Sequence, residues 1–441
     1  MTVHVVGAGL AGSEAALVLA AAGIKVTLHE MRPYLKTPAH QTDHFGELVC
    51  SNSLGSMDLM NGKGLLKKEL SFFGSNLLHI ARSVSIPAGK ALAVDRWAFQ
   101  TAVTEVVYRE KNIEIELGEV TAPFPGAITI IATGPLTSEG MSGAISRMLG
   151  SDHLYFYDAI SPIVDADSLD MEAGFFANRY GKGNDYLNFP LTKEEFEVFY
   201  TDLVGADTVT PHPFEKERFF ESCMPIEVIA GRGEKSLLFG PMRPVGLVDP
   251  RTGRGHFAVI QLRRENASGS MYNLVGFQTR MKQGAQKRVF ARIPGLKDAK
   301  FFRYGSIHRN TYINSPVALS PTLQLKSDEN IFFAGQLCGV EGYVESISAG
   351  LVAGVNVAMK LRGEDPLVFP PSTMTGALMN HISSASGKNF QPSNANYGLL
   401  PQPCRPHRKE DRRELQATYA LEKALQFKDL YFKYDPLCVM K

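Results

Sequence analysis

Hydrophobic and polar positions at the start of the chain follow the order of a strand, a turn, a helix and a second strand. A short apolar run at residues 3–6 predicts a buried strand, and a glycine-rich turn follows at residues 7–12. The Ala-rich residues 13–22 predict a helix, and residues 24–29 predict the second strand. The pattern therefore predicts a complete βαβ unit.

Further along, the pattern alternates between irregular and regular segments. Residues 37–64 are polar and punctuated by glycine, which favours a long functional loop. Helical spacing of apolar residues predicts a helix at 97–109. Strands are predicted at 113–117 and 128–132.

A different pattern begins near residue 151 and continues to about residue 302. Short aromatic strands, acidic helices such as 192–203 and many turns indicate an inserted α+β domain. The first pattern then returns, with a strand at 330–334 and an Ala/Val-rich helix that ends at residue 361. The Pro/Ser/Asn-rich residues 366–406 predict an extended wrap, and residues 409–427 predict a charged terminal helix.

Length and composition fit a globular protein with two connected domains. The chain has 441 residues, of which 44% are hydrophobic and 21% charged. It has no run of eighteen apolar residues and no signal-peptide pattern, so we expect a cytoplasmic protein that does not cross a membrane. The five cysteines are scattered without a CxxC pair, which predicts free thiols and no metal site.

Charge is distributed unevenly along the inserted domain. Residues 152–221 carry fifteen acids and five bases, whereas residues 243–303 carry thirteen bases and three acids. This asymmetry predicts two oppositely charged faces. A basic face can bind nucleic acid, and a solvated charged surface is the alternative. The candidate nucleic-acid contacts are Arg280, Lys282, Lys287, Arg288 and Arg292, with a second cluster that includes Lys409 and Arg412.

The glycine turn has the spacing of a dinucleotide-binding fingerprint, in the segment Gly7, Ala8, Gly9, Leu10, Ala11 and Gly12. The first glycine permits the tight turn, the second lets the backbone approach a pyrophosphate, and the third allows the helix to pack closely on the strand. The amino terminus of the helix then faces the phosphates. Glu30 follows the second strand, where a carboxylate can accept hydrogen bonds from a ribose.

Because NAD and FAD share this fingerprint, two later segments decide between them. Thr133 and Gly134 follow a predicted strand, as in large flavoproteins in which this backbone passes the dinucleotide. A third segment supplies Gly335, Gln336, Gly342 and Tyr343 before a helix, an arrangement that closes a flavin site. The sequence therefore predicts bound FAD and an α/β fold.

The predicted fold is a Rossmann-like FAD-binding domain with an inserted α+β domain. Residues 1–150 and 303–365 form the FAD-binding domain, residues 151–302 form the insertion, and residues 366–441 form the wrap and terminal helix.

Over its whole length the chain resembles the folate- and FAD-dependent tRNA (uracil-5-)-methyltransferase family. The segments that carry the resemblance are VVGAGLAGSEAA with HEMRP, GELVCSNSL, VDRWAF, IATGPLTS, ESCMPIEV, LFGPMRPVGL, VGFQTRMKQGAQKRVF and FAGQLCGVEGYVESISAG. The resemblance implies that a methylene group from methylenetetrahydrofolate is delivered to carbon 5 of the T-loop uridine of tRNA. It also implies that reduced FAD supplies the electrons and that NADPH or NADH re-reduces the flavin.

Two cysteines match those that the resembling family uses. The resemblance implies that Cys223 attacks the uracil ring and that Cys50 lies beside the flavin and assists methylene transfer. Local sequence does not favour this, since Glu221 and Glu227 flank Cys223 and carboxylates raise a thiol pKa. Each cysteine could instead be a buried small hydrophobe. Tyr343 could stack on a flavin or pterin ring, or pack in the core.

Two other functions stay open at this point. The related flavin-dependent enzymes that modify the tRNA wobble uridine share the glycine fingerprint and the closing motif, but those chains carry a further long helical domain. A flavin-bearing RNA-binding protein with idle cysteines is the second alternative. Turnover of methylenetetrahydrofolate with a tRNA transcript would separate all three.

Overall fold

The structure, a computed structural model, describes residues 2–150, 154–209, 219, 223–403, 408 and 410–431. Within them the strands are β1 Val3–Val6, β2 Val26–Glu30, β3 Ser53–Ser56, β4 Ser85–Ile86, β5 Ala91–Val94, β6 Ile113–Leu117, β7 Thr129–Ile131, β8 Leu154–Ile160, β9 Ile163–Asp165, β10 Phe175–Phe176, β11 Leu187–Leu191, β12 Ala258–Arg264, β13 Met271–Leu274, β14 Phe301–Arg303, β15 Ser306–Tyr312, β16 Gln324–Leu325 and β17 Asp328–Phe333. The helices are α1 Leu10–Ala21, α2 Gly62–Phe72, α3 Asn76–Ser83, α4 Arg96–Arg109, α5 Glu139–Leu149, α6 Lys193–Val204, α7 Ile226–Ala230, α8 Glu234–Leu238, α9 Gln283–Phe290, α10 Ser315–Ala318, α11 Tyr343–Leu361, α12 Met374–Ser384 and α13 Arg412–Tyr431.

A six-stranded sheet in the order β16-β17-β7-β1-β2-β6 forms the first domain. The five strands from β17 to β6 are parallel, and β16 is antiparallel at the edge. Strand β1 lies between β2 and β7, so the loops after these strands meet at one edge of the sheet. This confirms the predicted Rossmann-like fold and places the glycine turn at the edge where such sheets bind ligands.

Helices α1 and α11 pack closely together against this sheet because small residues line their contact. A Cβ atom added at Gly350 would lie 2.2 Å from the backbone oxygen of Ala11, and one added at Gly354 would lie 3.0 Å from that of Ala15. Helix α11 is long and apolar enough to cross a membrane, but 78% of its apolar window is buried. It is therefore a core helix.

The inserted segment forms a second six-stranded sheet in the order β10-β11-β12-β13-β9-β14, with all neighbours antiparallel. One face packs through Phe189, Ile260 and Leu262 on helices α6 to α9 and forms a separate hydrophobic core. The opposite face carries polar side chains, including Asn188 and Gln261, whose amides are hydrogen-bonded at 2.9 Å. The helices therefore cover only one side of this sheet.

A two-stranded ribbon joins the insertion to the first domain. Strands β8 and β15 pair along seven residues, with Asp158 opposite His308 and Tyr157 opposite Arg309. Because successive side chains in a strand point to opposite faces, Asp158, His308 and Asn310 do not share a face with Arg309. Asp158, His308 and Asn310 line the cavity described below.

The carboxy-terminal segment differs from the extended wrap that the sequence predicts, because it contains helix α12. The side chain of Thr373 caps this helix by accepting a hydrogen bond from the backbone N–H of Gly376. The buried carboxylate of Glu69, on α2, accepts two further N–H groups from Met374 and Thr375. Capping by a distant residue is not visible in the local sequence.

The terminal helix α13 is confirmed, although it begins at Arg412. Phe427 packs against Phe73 and Phe369, with ring centroids 6.1 and 4.7 Å away. The end of the described chain thus stabilises the first domain by burying its aromatic side chains. The domain boundaries at residues 150, 302 and 365 stay predictions.

Candidate active site

The glycine turn between β1 and α1 has one open position and two crowded ones. Gly7 has φ +101°, and a Cβ at Gly12 would lie 1.8 Å from the backbone oxygen of Gly7. At Gly9, by contrast, an added Cβ would have no protein atom within 4 Å. The helix begins at Leu10, earlier than predicted, so its amino terminus opens directly on the space beside Gly9.

Glu30 lies at the end of β2, where the fingerprint predicts an acid, and it is almost completely buried. Its carboxylate accepts the backbone N–H of Ala8 at 3.0 Å and the guanidinium of Arg32 at 2.9 Å. Arg32 also pairs with Glu47 at 3.3 Å. These charge-assisted hydrogen bonds help to lower the pKa of Glu30 despite its burial. Arg32 therefore fixes the irregular loop 37–52 to the end of β2.

A cleft runs from the glycine turn across the carboxyl edge of the sheet. Of the predicted cofactor residues, those that line it are Gly7, Gly9, Leu10, Ala11, Glu30, Thr133, Gly134, Gly335, Gln336 and Tyr343. Ala8 and Gly12 support it from behind, Ala8 through its hydrogen bond to Glu30. Gly342 lines the adjoining cavity. Three separate stretches of chain thus meet at one cleft.

This cleft fits the FAD that the sequence predicts. The open position at Gly9 and the start of α1 suit a pyrophosphate, because a phosphate can approach the backbone amides there. Glu30 suits the ribose, although it would share its carboxylate with Arg32. The far end, at Gln336 and Tyr343, leaves room for a ring system beside the start of α11.

Tyr343 has a positioning role that the sequence does not show. Its hydroxyl oxygen accepts the backbone N–H of Cys50 at 2.7 Å and that of Ser51 at 3.2 Å. Arg96 holds the same loop by donating to the backbone oxygen of Leu48 and pairing with Glu265 at 2.8 Å. The Cys50 loop is therefore held from two sides.

A second cavity adjoins the cleft and contains both predicted catalytic thiols. It shares Gln336 and Tyr343 with the cleft, and Cys50 and Cys223 both line it. The described acids of this cavity are Asp158, from β8, and Glu341, from the loop before α11. Ligand atoms of Asp158, Cys223 and Glu341 all lie within 4.8 Å of one another, a set that could also hold a metal ion.

Burial raises the pKa values of the thiols and carboxyl groups of this cavity. It raises the pKa of the Cys50 thiol to about 12, and burial together with the Asp158 charge raises the pKa of Cys223 well above its usual value. Burial also raises the pKa of Glu341, and it raises the pKa of Asp158 to about 6. At neutral pH, Asp158 is therefore the ionised acid beside two protonated thiols.

Cys223 donates a hydrogen bond to the Asp158 carboxylate. The amide of Asn310 donates to the same carboxylate at 3.4 Å. The acid beside Cys223 is thus Asp158, and not the sequence neighbour Glu227, which accepts from the side chain of Thr279 at 2.9 Å. Glu221 lies outside the described residues.

The predicted nucleic-acid residues lie in different surroundings. Arg280 is partly covered by Phe219 and lies 3.7 Å from Glu227, while Arg288 and Arg292 lie 3.9 and 2.6 Å from Asp207 and Asp202. Lys282 and Lys287 are exposed, Arg412 is half-buried at the start of α13, and Lys409 lies outside the described residues. Acidic and basic segments therefore meet at α6 and α9, where the charge count predicts separate faces.

Residues of the site that are absent from the sequence-based prediction include Arg32, Asp158, His308, Asn310 and Glu341. Arg32 could have been identified from the sequence, since it stands two residues after Glu30, the acid of the fingerprint. His308 lines the thiol cavity and contacts Ser306 at 3.0 Å. Burial, with the charge of Arg303, lowers the pKa of His308 to about 4, so its imidazole is neutral. Asp158, His308 and Glu341 converge only through the β8–β15 ribbon and the turn before α11.

The parallel sheet, the open glycine turn and the closing turn at α11 define an FAD-binding flavoprotein of the Rossmann-like class. The family model for glucose inhibited division protein A matches residues 2–365. A methylenetetrahydrofolate--tRNA-(uracil-5-)-methyltransferase TrmFO from Bacillus mycoides is 52% identical over 427 residues, which cover 96% of this chain and 98% of that protein. The TrmFO of an Exiguobacterium species is 51% identical over 432 residues, with 97% and 99% covered. The chain belongs to this TrmFO family.

Solved structures support the fold. GidA from Aquifex aeolicus has a TM-score of 0.69 in each of two crystal forms, at 18% identity. The matches cover 97% of this chain and 73% or 77% of the GidA chain. The TrmFO relatives confirm the recognised family, and the GidA structures confirm the FAD-binding α/β fold.

Proposed function

We propose that this protein methylates carbon 5 of the T-loop uridine in tRNA, with methylenetetrahydrofolate as the one-carbon donor and NAD(P)H as the source of electrons. The observation that carries the proposal is the placement of Cys50 and Cys223 in one cavity that opens into the dinucleotide cleft. Thiols beside a flavin suit this chemistry, because a thiolate can add to carbon 6 of uracil and leave again. The cytoplasmic location stays a prediction, as do Lys282 and Lys287 as RNA contacts.

Bound FAD, when reduced, supplies the hydride that converts a methylene to a methyl group. The residues of the chain position the other reactants. We assign Cys223 as the nucleophile toward carbon 6 of uracil, because its thiol contacts a base. Cys50, held through its backbone by Tyr343, faces the same cavity and assists the methylene transfer.

Asp158 is the group that accepts the proton of Cys223. As the bond between Sγ and carbon 6 forms, the thiol proton passes to the carboxylate and the electrons of the carbon 5–carbon 6 double bond move toward the carbonyl at carbon 4. Carbon 5 then becomes nucleophilic. After carbon 5 has bonded to the methylene group, carbon 5 loses its proton to solvent, the carbon 5–carbon 6 double bond re-forms and the thiolate leaves carbon 6. Asp158 then returns the thiol proton to Cys223. Asn310 orients the carboxylate for both steps.

The pH dependence of Cys223 alkylation tests this assignment. In the holoenzyme, the rate of reaction with iodoacetamide should rise with pH through about 6, as Asp158 ionises, and then stay level until the pH at which the Cys223 thiol itself ionises. In Asp158→Asn the step near pH 6 should vanish, and the rate at pH 7 should fall by at least about tenfold. Peptide mass spectrometry would report Cys223 separately from the other thiols.

The direction in which Asp158→Asn changes the alkylation rate of Cys223 distinguishes proton acceptance by Asp158 from electrostatic repulsion of the thiolate. If Asp158 only repelled a thiolate, its neutral replacement would lower the Cys223 pKa and accelerate alkylation at pH 7. Faster alkylation of Cys223 in Asp158→Asn than in the wild-type enzyme would therefore contradict the assignment. Asp170→Asn is the matched control, because Asp170 is an exposed carboxylate in the insertion. The nearby Cys50, Glu341, Lys63, His308 and Arg303 are unchanged in all three proteins.

Nucleoside mass spectrometry tests the function itself. The purified protein, supplied with FAD, methylenetetrahydrofolate, NADPH and an unmodified tRNA transcript, should produce 5-methyluridine at the T-loop position. Omission of the folate donor should abolish the product. A modification confined to the wobble uridine, or no modified nucleoside at all, would refute the proposal.

A further inference from the structure

The polar face of the inserted sheet carries guanidinium groups that the activity of the thiol cavity does not explain. On β12, Gln261 and Arg263 point to this face, because their neighbours Ile260 and Leu262 lie in the hydrophobic core on the other side. The two positions are about 6.6 Å apart along the strand. They belong to a row of polar side chains, here called the polar path, which runs from Arg179 and Arg243 through Gln261 to Arg263.

At its inner end the path reaches the Cys50 loop. Arg263 is only 6% exposed, and its Nε donates to the side chain of Asn52 at 2.9 Å. Asn52 stands between Ser51 and Ser53, which both line the thiol cavity. A buried cation is costly unless an anion or several hydrogen bonds compensate it. Arg263 thus places a positive charge next to the loop that holds Cys50.

At its outer end the path reaches the surface at two further arginines. The Nε of Arg179 donates to Gln261 at 3.1 Å, and an Nη atom of Arg179 donates to the backbone oxygen of Val245 at 2.8 Å. Arg243 donates to the hydroxyl of Tyr180 at 3.2 Å. Burial lowers the pKa of the Arg179 guanidinium, and the nearby charge of Arg243 lowers it further, because a second cation disfavours the charged form.

The surroundings of Tyr180 indicate that this surface is shaped for contact. Tyr180 has φ 64°, a strained backbone conformation for a residue with a side chain, and it remains 62% exposed. A Cβ added at Gly246 would lie 2.8 Å from its ring, so only glycine fits there. An aromatic ring is thereby presented to solvent beside two guanidinium groups.

The basic segment around α9 differs from these arginines in its ion pairs, and the difference favours the arginines of the polar face as the RNA-binding surface. Arg280, Arg288 and Arg292 each lie near a carboxylate of α6 or α7 or of the segment that follows α6. Among the residues that the structure describes, Arg179, Arg243 and Arg263 form no ion pair with a carboxylate. Three cations that form no ion pair with a described acid match the charge of a polyanion.

We propose that Arg179, Arg243 and Arg263 form an arginine track in which Arg179 and Arg243 bind the phosphodiester backbone of the RNA strand carrying the target uridine, the buried Arg263 adds positive charge at the inner end, and Tyr180 stacks on a neighbouring base. The inference rests on the proposed function. Guanidinium groups bind phosphate oxygens through paired hydrogen bonds, and exposed aromatic rings stack on unpaired bases. The track would lead the strand from the surface to the thiol cavity.

Salt-dependent binding of an unmodified tRNA transcript to the FAD-loaded enzyme tests the track. Arg179→Gln and Arg243→Gln should each raise the Kd for tRNA about three- to tenfold, and each should reduce the slope of log K against log salt by about 0.7–0.9. Arg251→Gln is the matched control, because Arg251 is an exposed arginine of the same domain that is paired with Asp249 at 2.9 Å. Its Kd should change less than about twofold.

A double variant distinguishes the loss of RNA contacts from a folding defect. Arg263 is buried, so Arg263→Gln is interpreted only if FAD absorbance and Tm are retained. The double variant Arg179→Gln/Arg243→Gln changes side chains that are partly exposed. An unchanged Kd and salt slope in that double variant would overturn the track. If wild-type enzyme methylates tRNA in the same preparation, the proposed function survives that outcome. A wild-type enzyme that neither binds nor methylates tRNA would instead refute the function.

Discussion

Replacement of Cys223 by alanine is expected to reduce tRNA methylation by at least about a thousandfold, because no other described thiol contacts a base in the cavity. Cys223 is only half-buried, so the loss of its sulfur should change the stability of the fold little. FAD absorbance and the Kd for tRNA should stay at the wild-type values. The measurement is 5-methyluridine formed per enzyme in a single turnover.

A mechanism-based trap identifies which thiol attacks the ring. With tRNA that contains 5-fluorouridine, fluorine blocks loss of the carbon 5 substituent, and the covalent complex should accumulate in wild-type enzyme but not in Cys223→Ala. Cys338→Ala is the control, since Cys338 is a fully buried thiol that donates to the backbone oxygen of Gly335. A complex that persists in Cys223→Ala and disappears in Cys50→Ala would reverse the two roles. Full activity in both variants would exclude a thiol nucleophile at either position.

Local sequence was sufficient for the parts of the molecule that are built from neighbouring residues. The glycine turn, the acid after β2 and the two later cofactor segments are short motifs whose backbone geometry depends on glycine positions. The parallel sheet follows from them, because a strand, a helix and a parallel strand have few ways to connect. The bounds of β6 agree with the prediction, and α4 begins one residue earlier, at Arg96. Both are regular, periodic segments.

The environment of Cys223 could not be predicted in this way. Asp158 and Glu341 come from distant segments, and only the pairing of β8 with β15 and the turn before α11 bring them to the thiol. Their raised pKa values arise from burial, which is a property of the folded chain. For the same reason, the sequence neighbour Glu227 gave a misleading account of the charge near Cys223.

The count of charged residues along the sequence did not predict the charged surface of the insertion, for a related physical reason. The count treats every charge as solvated, but in the folded insertion Asp202 and Asp207 lie beside Arg292 and Arg288. Oppositely charged segments attract, so a run of bases need not form a free basic surface. Arg179 and Arg243, which form no ion pair within the described part of the chain, are far apart in the sequence and meet only through the inserted sheet.

The Gly9→Val variant is expected to fold normally and to lose its FAD. Gly9 has φ −74° and ψ −167°, a conformation that valine adopts easily, and an added Cβ meets no protein atom within 4 Å. The space it would enter is the approach to the backbone amides at the start of α1, where we expect the pyrophosphate to bind. FAD affinity should fall about ten- to a hundredfold, roughly 1.4–2.8 kcal/mol. Flavin absorbance after gel filtration measures the loss, and Tm in the absence of added FAD reports the fold.

Gly12→Ala provides the opposite case within the same turn. Its Cβ would lie 1.8 Å from the backbone oxygen of Gly7, so the turn itself must move and the fold should be destabilised along with FAD binding. The two variants therefore separate a cofactor contact from a packing contact only a few residues apart. If Gly9→Val retained FAD at the wild-type affinity while its Tm stayed unchanged, the pyrophosphate would not bind at this turn, and the orientation of the cofactor in the cleft would have to be reversed.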